Sequence, residues 1–385
     1  MNGLRIGVIT HNYPLRASES KDAGKFIYNF AQKLSEKVEV VEVFCPNYTG
    51  KKEKYKKVPV TWFKWGGGSE KFGNWGIFSL RSIYLFFNLW LVGNKEIEKF
   101  VKKNKINYLL CFWNFPAGLW GMHIKKKLGI PYVTWALGSD IYVFPKLPII
   151  KQLTQIILKG ADKCYGNSYD ICKAIKKLAG IKAEFLPTSN PIDIVKSKRP
   201  NFQKNIFNFL FLGRSEKVKG PDILIEAVSK LAEKRKDFLV TMIGGGSLID
   251  QLKQSVQELN ISKNVNVLGY IEDQTVVNGY LIDSDALVIP SRSESFPLVI
   301  TEALQTGLPI IGSNVGDMPH VVKKYGLGYI FQSRDPQKLA RVMEQMMRYG
   351  KGMRKKKRKL MGELYKGFQL DTVVNRLVSY AQSLV

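Results

Sequence analysis

Apolar and polar positions along this chain follow two alternating periods. Short apolar runs at Arg5–Thr10, Val38–Phe44, Val60–Trp65, Tyr108–Trp113, Tyr132–Leu137, Lys163–Gly166 and Ala183–Leu186 predict strands. Between them, segments such as Gly24–Glu36 and Ile97–Lys103 carry the 3.6-residue period of helices. At Asn190–Asn205 the pattern breaks into a polar, proline-containing linker and then restarts. Strands are predicted at Phe207–Leu212, Phe238–Ile243, Val265–Leu268, Ala286–Pro290 and Leu308–Gly312. Helices are predicted at Pro221–Lys236, Ile249–Leu259, Leu298–Thr306, Pro336–Arg348 and Leu370–Leu384. Apolar strands alternating with amphipathic helices mean parallel sheets covered on both faces. The expected architecture is therefore α/β, with two open parallel-sheet domains facing a cleft. Their expected bounds are 1–194 and 195–365, with a helix over 366–385 packing back on the first domain. Such sheets bind ligands at the carboxyl ends of their strands, which suits an enzyme joining two substrates.

Composition narrows the class. With 385 residues, 45% of them hydrophobic, the chain can bury two full cores. Cys45, Cys111, Cys164 and Cys172 show no CxxC spacing, and His11, His123 and His320 lie far apart, which argues against a zinc site. The N-terminus runs into a strand without a signal-peptide layout. The longest apolar stretch, Trp75–Val92, is interrupted by Ser79, Arg81, Ser82 and Asn88. An arginine inside a bilayer costs about 3 kcal/mol, so this segment is expected to be a buried or interface-lying helix, not a span. The net charge is +27, and residues 1–190 hold 30 basic and 13 acidic side chains. Basic runs stand at Lys51–Lys57, Lys102–Lys105, Lys125–Lys127 and Lys351–Lys359. This excess favours an anionic membrane surface, nucleic acid or anionic substrates, unless the lysines only solvate the surface. No RNP, zinc-finger or helix-turn-helix signature accompanies it, so no specific nucleic acid is expected. A cytoplasmic protein, peripheral on the inner face of the membrane, is the expected setting.

The chemistry concentrates in the second half. Gly213-Arg214-Ser215 follows a strand, and Lys219-Gly220 precedes the first-turn proline Pro221. Gly213 permits close backbone approach. Arg214 and Lys219 pair a planar fork with a point charge, which suits a diphosphate. A glycine run, Gly244-Gly245-Gly246, occupies the next strand-to-helix turn without the GxGxxG spacing of a dinucleotide site. Then Glu294-Ser295-Phe296-Pro297-Leu298 leads from a strand into a helix whose free N–H groups form an anion site. Glu302, one turn inside, can accept from vicinal hydroxyls such as those of a ribose, while Glu294 sits nearer the reacting centre. In the first half, Asp140 and His11 stand at strand ends. Each has a plainer alternative, Asp140 as a cap of the following segment and His11 as a structural histidine.

The spacing Glu294–x7–Glu302 within SESFPLVITEALQTGLPII resembles the fourth family of retaining glycosyltransferases, which have the GT-B fold of two Rossmann-like domains. GRSEKVKGPDILIEA, MIGGGS and VLGYI before it and SNVGDMPHVV after it stand in that family's order, and Gly24, Gly138–Asp140 and Asn190–Asp193 match more loosely. The resemblance implies transfer of a sugar from a nucleotide diphosphate-sugar, UDP- or GDP-linked, to an acceptor hydroxyl. Configuration would be retained, and no metal or other cofactor would be obligatory. It implies that Arg214 and Lys219 hold the diphosphate, helped by amides at Phe296–Leu298. Glu302 would take the ribose and Glu294 the donor sugar, with Val267–Tyr270 along the base. Asp140 would touch donor or acceptor sugar, with His11 and Gly24 beside the acceptor. A glycan or lipid-linked acceptor in cell-surface polysaccharide, lipopolysaccharide or glycolipid synthesis fits that class. The chain departs from the pattern at Leu137, where a histidine is usual, at Ala23, and at Asp317 and His320. Leu137 keeps a second class open, a catalytically inactive sugar-nucleotide-binding partner subunit.

Overall fold

The computed structural model describes residues 3–14, 24–48, 57–68, 70 and 80–385, and for 350–358 the backbone alone. Expectations at Ala23, Lys51–Lys56, Trp75–Ser79 and the side chains of Lys351–Arg358 lie outside those residues. The chain forms two compact units, residues 1–188 with 370–385, and residues 189–369.

In the first unit seven strands, β1 (Arg5–Ile9), β2 (Val40–Pro46), β3 (Val60–Phe63), β4 (Tyr108–Phe112), β5 (Tyr132–Ala136), β6 (Lys163–Gly166) and β7 (Glu184–Phe185), form one parallel sheet. Its order is β3-β2-β1-β4-β5-β6-β7. In the second, β8 (Phe207–Leu212), β9 (Phe238–Ile243), β10 (Val265–Gly269), β11 (Ala286–Ile289), β12 (Ile310–Ser313) and β13 (Gly328–Phe331) are ordered β10-β9-β8-β11-β12-β13. Each is a doubly wound Rossmann-like sheet, reversing direction between β1 and β4 and between β8 and β11. Central strands are buried on both faces, as at Phe209, Leu210 and Phe211, because helices cover both sides. Helix Lys25–Leu34 shows how: Phe26, Ile27, Phe30, Ala31 and Leu34 recur at helical spacing and are buried. The Phe30 ring meets Trp135 of β5 edge-on at 5.2 Å.

Several elements differ from the sequence expectation. The apolar Trp75–Val92 stretch and the Ile97–Lys103 segment belong, from Leu80 on, to one helix, Leu80–Asn104. Helix Pro336–Lys366 runs on through the basic run, anchored by buried Met343, Met346 and Met361. The first unit ends at Thr188 instead of 194 because the linker is tied down early. Gln305 binds it from both sides, its Oε1 accepting from the Ile192 amide at 2.9 Å and its Nε2 donating to the Asn190 carbonyl at 2.7 Å.

Helix Leu370–Gln382 belongs to the first unit, burying Val373, Val374, Leu377, Val378 and Ala381. Lys33 and Lys37 each reach Asp371 at 3.1 Å, and the Tyr380 hydroxyl donates to the Asp162 carbonyl at 2.8 Å. Arg376 pairs with Glu184 and donates to the Phe185 carbonyl at 2.9 Å. Removal of residues 370–385 is therefore expected to destabilise the first unit by of order 5 kcal/mol, from the apolar burial alone. Hydrogen exchange checks it: protection should fall in β6, β7 and helix Lys25–Leu34 and persist in β8–β12.

Candidate active site

The site grows from the reversal point of the second sheet. Parallel pairing sets Ala286 against Phe209 and Leu287 against Leu210, so the loops after β8 and β11 emerge side by side. Glycines then let backbones touch. Gly220 has φ +68°, and a Cβ there would collide with the Pro290 carbonyl. A Cβ on Gly244 (φ +138°) would strike the Gly213 carbonyl. The β8 loop is zipped to the glycine turn by Ser215 N–H to the Gly245 carbonyl (2.8 Å) and Ser215 Oγ to the Gly244 carbonyl (3.0 Å). Glu216 closes it further, accepting from the Ser247 amide at 2.9 Å and hydroxyl at 2.7 Å. The three glycines thus hold up the Arg214 loop. Tyr270, following β10, has its Cβ 3.3 Å from where a Gly245 Cβ would sit.

Arg214 is exposed on this loop, near enough to Glu216 to help hold that carboxyl below its usual range, after the Ser247 bonds. Lys219 is half-buried and forms an ion pair with Glu294, whose Oε1 also accepts from Ser291 Oγ at 3.0 Å. A second clamp fixes the same two loops. Arg292 makes a bidentate pair with Asp222, at 2.6 and 2.7 Å, and donates to the Lys217 carbonyl at 2.7 Å. Burial would raise the Asp222 carboxyl, but Arg292 and Lys217 hold it below the usual range. Asp222 and Arg292 stand 70 residues apart and carry no sequence signal of their partnership. The structure thus brings together Gly213, Arg214, Lys219, Gly244, Tyr270 and Glu294 around one strand edge.

Ser295 and Glu294 are packed by the next turn. Gly316 (φ +54°) lies against their carbonyls, and the Asp317 amide donates to the Ser295 carbonyl at 3.1 Å. Helix Leu298–Thr306 then begins at Pro297 with no side-chain cap. Of the three positions Phe296–Leu298, Pro297 has no N–H, so only Phe296 and Leu298 offer amides to an anion. Phe296 is buried, stacked on Phe368 at 5.7 Å. Glu302 is part-buried one turn on, with, among the described residues, a single long bond from Asn190 Nδ2 at 3.4 Å. Desolvation outweighs that bond and raises its carboxyl to about 7. Asn190, noted in the sequence only as part of a loose match, is the residue that reaches it.

In the first unit, Asp140 is fully buried. Its Oδ2 accepts from the Asn114 amide and Nδ2, both at 2.9 Å, and its Oδ1 from Leu137 N–H (3.1 Å) and Gly138 N–H (3.0 Å). Burial raises its carboxyl while these bonds oppose the shift. Through these four bonds Asp140 ties together the loops after β4 and β5. It does not cap the residues that follow, since its bonds go to those before it. His11 packs on Trp113 with ring centroids 4.4 Å apart, and burial lowers its imidazole to about 3, keeping it neutral. Trp113 holds a left-handed backbone (φ +66°), a strained conformation for an aromatic residue. A Cβ at Gly24 would lie 2.9 Å from the Asn12 carbonyl, so glycine there lets the β1 loop reach the start of helix Lys25–Leu34. Trp113 and Asn114 are thus drawn to the candidates His11 and Asp140 without having been marked in the sequence.

One acidic pair has the D-x-D spacing of metal-dependent transferases, Asp283-Ser284-Asp285. It precedes β11, at the opposite strand end from the site, with Asp283 paired to Arg199 and Asp285 accepting from the Asn208 amide at 2.9 Å. Among the described residues no three His, Cys, Asp or Glu side chains are grouped to hold a metal.

Comparison with known proteins bears on the family and the fold. The sequence model described as Glycosyl transferases group 1 matches residues 194–363, and that described as Glycosyl transferase 4-like matches residues 21–168. A Klebsiella pneumoniae protein, described as an uncharacterized 41.2 kDa protein in cps region, is 32% identical over 69% of this chain and 75% of its own. The Escherichia coli UDP-Gal:alpha-D-GlcNAc-diphosphoundecaprenol alpha-1,3-galactosyltransferase is 28% identical over 62% of this chain and 66% of its own. Anabaena HepE, solved in complex with UDP, shares the fold at TM-score 0.72 and 14% identity over 99% of this chain and 100% of its own. Two parallel Rossmann-like sheets in this order form the GT-B fold. The chain belongs to the group 1 glycosyltransferase family.

The raised Glu302 carboxyl makes a stability prediction. A carboxyl whose folded value lies above its unfolded one binds more protons in the native state, so stability falls as pH rises from about 4.5 to about 7. Glu302→Gln should remove that fall. Urea unfolding at pH 5 and pH 8 checks it: the variant should gain most over the parent at pH 8 and little at pH 5.

Proposed function

We propose that this protein transfers a sugar from a UDP- or GDP-linked donor to an acceptor hydroxyl with retention of configuration, without an obligatory metal. The single observation that carries the proposal is the Lys219–Glu294 ion pair beside exposed Arg214, at the mouth of an uncapped helix N-terminus. The C1–oxygen bond to the diphosphate breaks with its electron pair staying on the diphosphate. The acceptor oxygen bonds C1, and its proton is released to the diphosphate or to solvent. Lys219, Arg214 and the helix N-terminus face the oxygen where charge develops and do the electrostatic work a metal ion does elsewhere. Glu294, already held by Lys219 and Ser291, orients the donor sugar hydroxyls. Glu302 takes the ribose hydroxyls, and Tyr270 flanks the base.

The donor assignment draws on the UDP-bound HepE relative, and the acceptor on the name of the Escherichia coli relative, a diphosphoundecaprenol-linked galactosyltransferase. We accordingly assign the acceptor to the lipid-linked or growing surface glycans built at the cytoplasmic face of a membrane. A second possibility, a nucleotide-sugar-binding partner without turnover, draws on Leu137 and on the engaged carboxylate of Asp140.

Titration calorimetry with UDP and GDP tests the site. One of the two should bind the parent protein, and Arg214→Ala/Lys219→Ala should weaken it by about 100-fold, roughly 1.4 kcal/mol for each charge-assisted bond removed. Wild-type affinity in the double variant would remove the diphosphate assignment. Donor hydrolysis or transfer should persist in excess EDTA, and a loss restored by Mn²⁺ would contradict metal independence. Tight nucleotide binding with no turnover on any lipid-linked acceptor would instead favour the inactive partner.

A further inference from the structure

Helix Leu80–Asn104 has two unlike flanks. On one, Leu85, Leu89 and Gly93 are buried, and Phe86 stacks on Phe115 at 4.9 Å. On the other, Leu80, Ile83, Tyr84, Phe87 and Leu91 are 86%, 51%, 60%, 48% and 59% exposed. At about 100° per residue these five fall within an arc of about 100° over three turns. Scattered exposed leucines are ordinary, whereas an aligned stripe of this size marks an interaction surface.

The aromatic contacts continue from Phe86 through Phe115 to Phe144, whose ring lies 6.4 Å from that of Phe115. Phe144 sits in Tyr142–Lys151, a second segment of the same unit, which leaves Tyr142, Val143 and Ile149 exposed. Charge on both segments has one sign. Residues 80–94 and 141–160 contain no Asp or Glu, while Arg81, Lys146, Lys151 and Lys159 occur in them. Arg81 is paired with Glu70, and Lys146 and Lys151 are exposed. No helix among the described residues is long and apolar enough to cross a membrane. An apolar stripe edged by cations, on a helix that does not span, has the chemistry of a surface-lying element.

We propose that Leu80–Leu91 and Tyr142–Lys151 together dock the first unit on an anionic lipid leaflet. The stripe enters the headgroup boundary, and Lys146 and Lys151 meet the lipid phosphates. The inference deepens the transferase assignment by naming the surface that meets the membrane, and it rests on that assignment only for why a membrane is there. A second copy of this chain is a poorer occupant, since each copy carries +27 and presents cations alone on these segments.

Flotation of the full-length protein with phosphatidylcholine vesicles, with and without phosphatidylglycerol, at physiological salt tests it. The parent should float with the anionic vesicles and not with the neutral ones. L80S/F87S/L91S should lower partitioning by about tenfold or more, and K146Q/K151Q by about 25-fold, roughly fivefold per lysine. Thermal stabilisation by the nucleotide that the parent binds should be unchanged in both variants, which establishes that they are folded. If no nucleotide stabilises even the parent, the transferase assignment fails while flotation still decides the surface. The proposal is overturned if the parent ignores anionic vesicles, or if the stripe variant floats like the parent. It is also overturned if the parent forms a dimer that the stripe variant cannot form.

Discussion

Backbone-to-backbone contact at the carboxyl edge of the second sheet is the constraint from which the site follows. The loops after β8, β9, β11 and β12 approach one another closer than any side chain permits. Gly220 meets the Pro290 carbonyl, Gly244 meets the Gly213 carbonyl, and Gly316 meets the carbonyls of Glu294 and Ser295. All three glycines have φ between +54° and +138°, so a Cβ would add conformational strain to collision. That closeness lets Lys219 and Glu294, 75 residues apart in the chain, form an ion pair, and lets Arg292 reach Asp222. The first pair presents chemistry, and the second fixes the two loops that present it.

The Lys219–Glu294 pair also shows why the site tolerates its own charge. Drawing a half-buried ammonium and a mostly buried carboxylate part-way out of water costs desolvation energy that a partner offsets. Each compensates the other, while Arg214 on the same loop stays exposed. An ammonium has three donors, so under the proposed function Lys219 could share them between a diphosphate and Glu294. Charges arranged in advance are the condition for the leaving-group stabilisation that the proposed function invokes.

Much of this was legible in the sequence because strands buried on both faces read as unbroken apolar runs. Phe207–Leu212, Phe238–Ile243 and Lys163–Gly166 are predicted to the residue. Strand β13 was not legible, since Gly328-Tyr329-Ile330-Phe331 is a short, partly exposed edge strand that begins with glycine. Helix Ala117–Leu128 was hidden for a different reason. It holds Gly118 and Gly121, poor helix formers required because Gly121 packs where a Cβ would lie 2.7 Å from Cys111 Sγ and 2.8 Å from Tyr132. Arg214, Lys219, Glu294 and Glu302 could be picked out by spacing and residue type. The contact of Asn190 with Glu302 and the Arg292–Asp222 clamp could not, because partners 112 and 70 residues apart leave no mark of their pairing in the chain.

Three carboxylates singled out by the same sequence logic separate once their lone pairs are counted. A carboxylate has about four acceptor positions. All four on Asp140 are taken, by two Asn114 donors and the amides of Leu137 and Gly138. Glu294 uses one oxygen for Lys219 and Ser291, and among the described residues its Oε2 has no donor. Glu302 has one bond of 3.4 Å, and its carboxyl rises to about 7 because burial has removed water without supplying donors in its place. A buried acid left short of donors is costly to the empty protein and gains most from a ligand that brings hydroxyls. By that count Asp140 ties the loops after β4 and β5, while Glu294 and Glu302 keep the open acceptor positions that the proposed donor site requires.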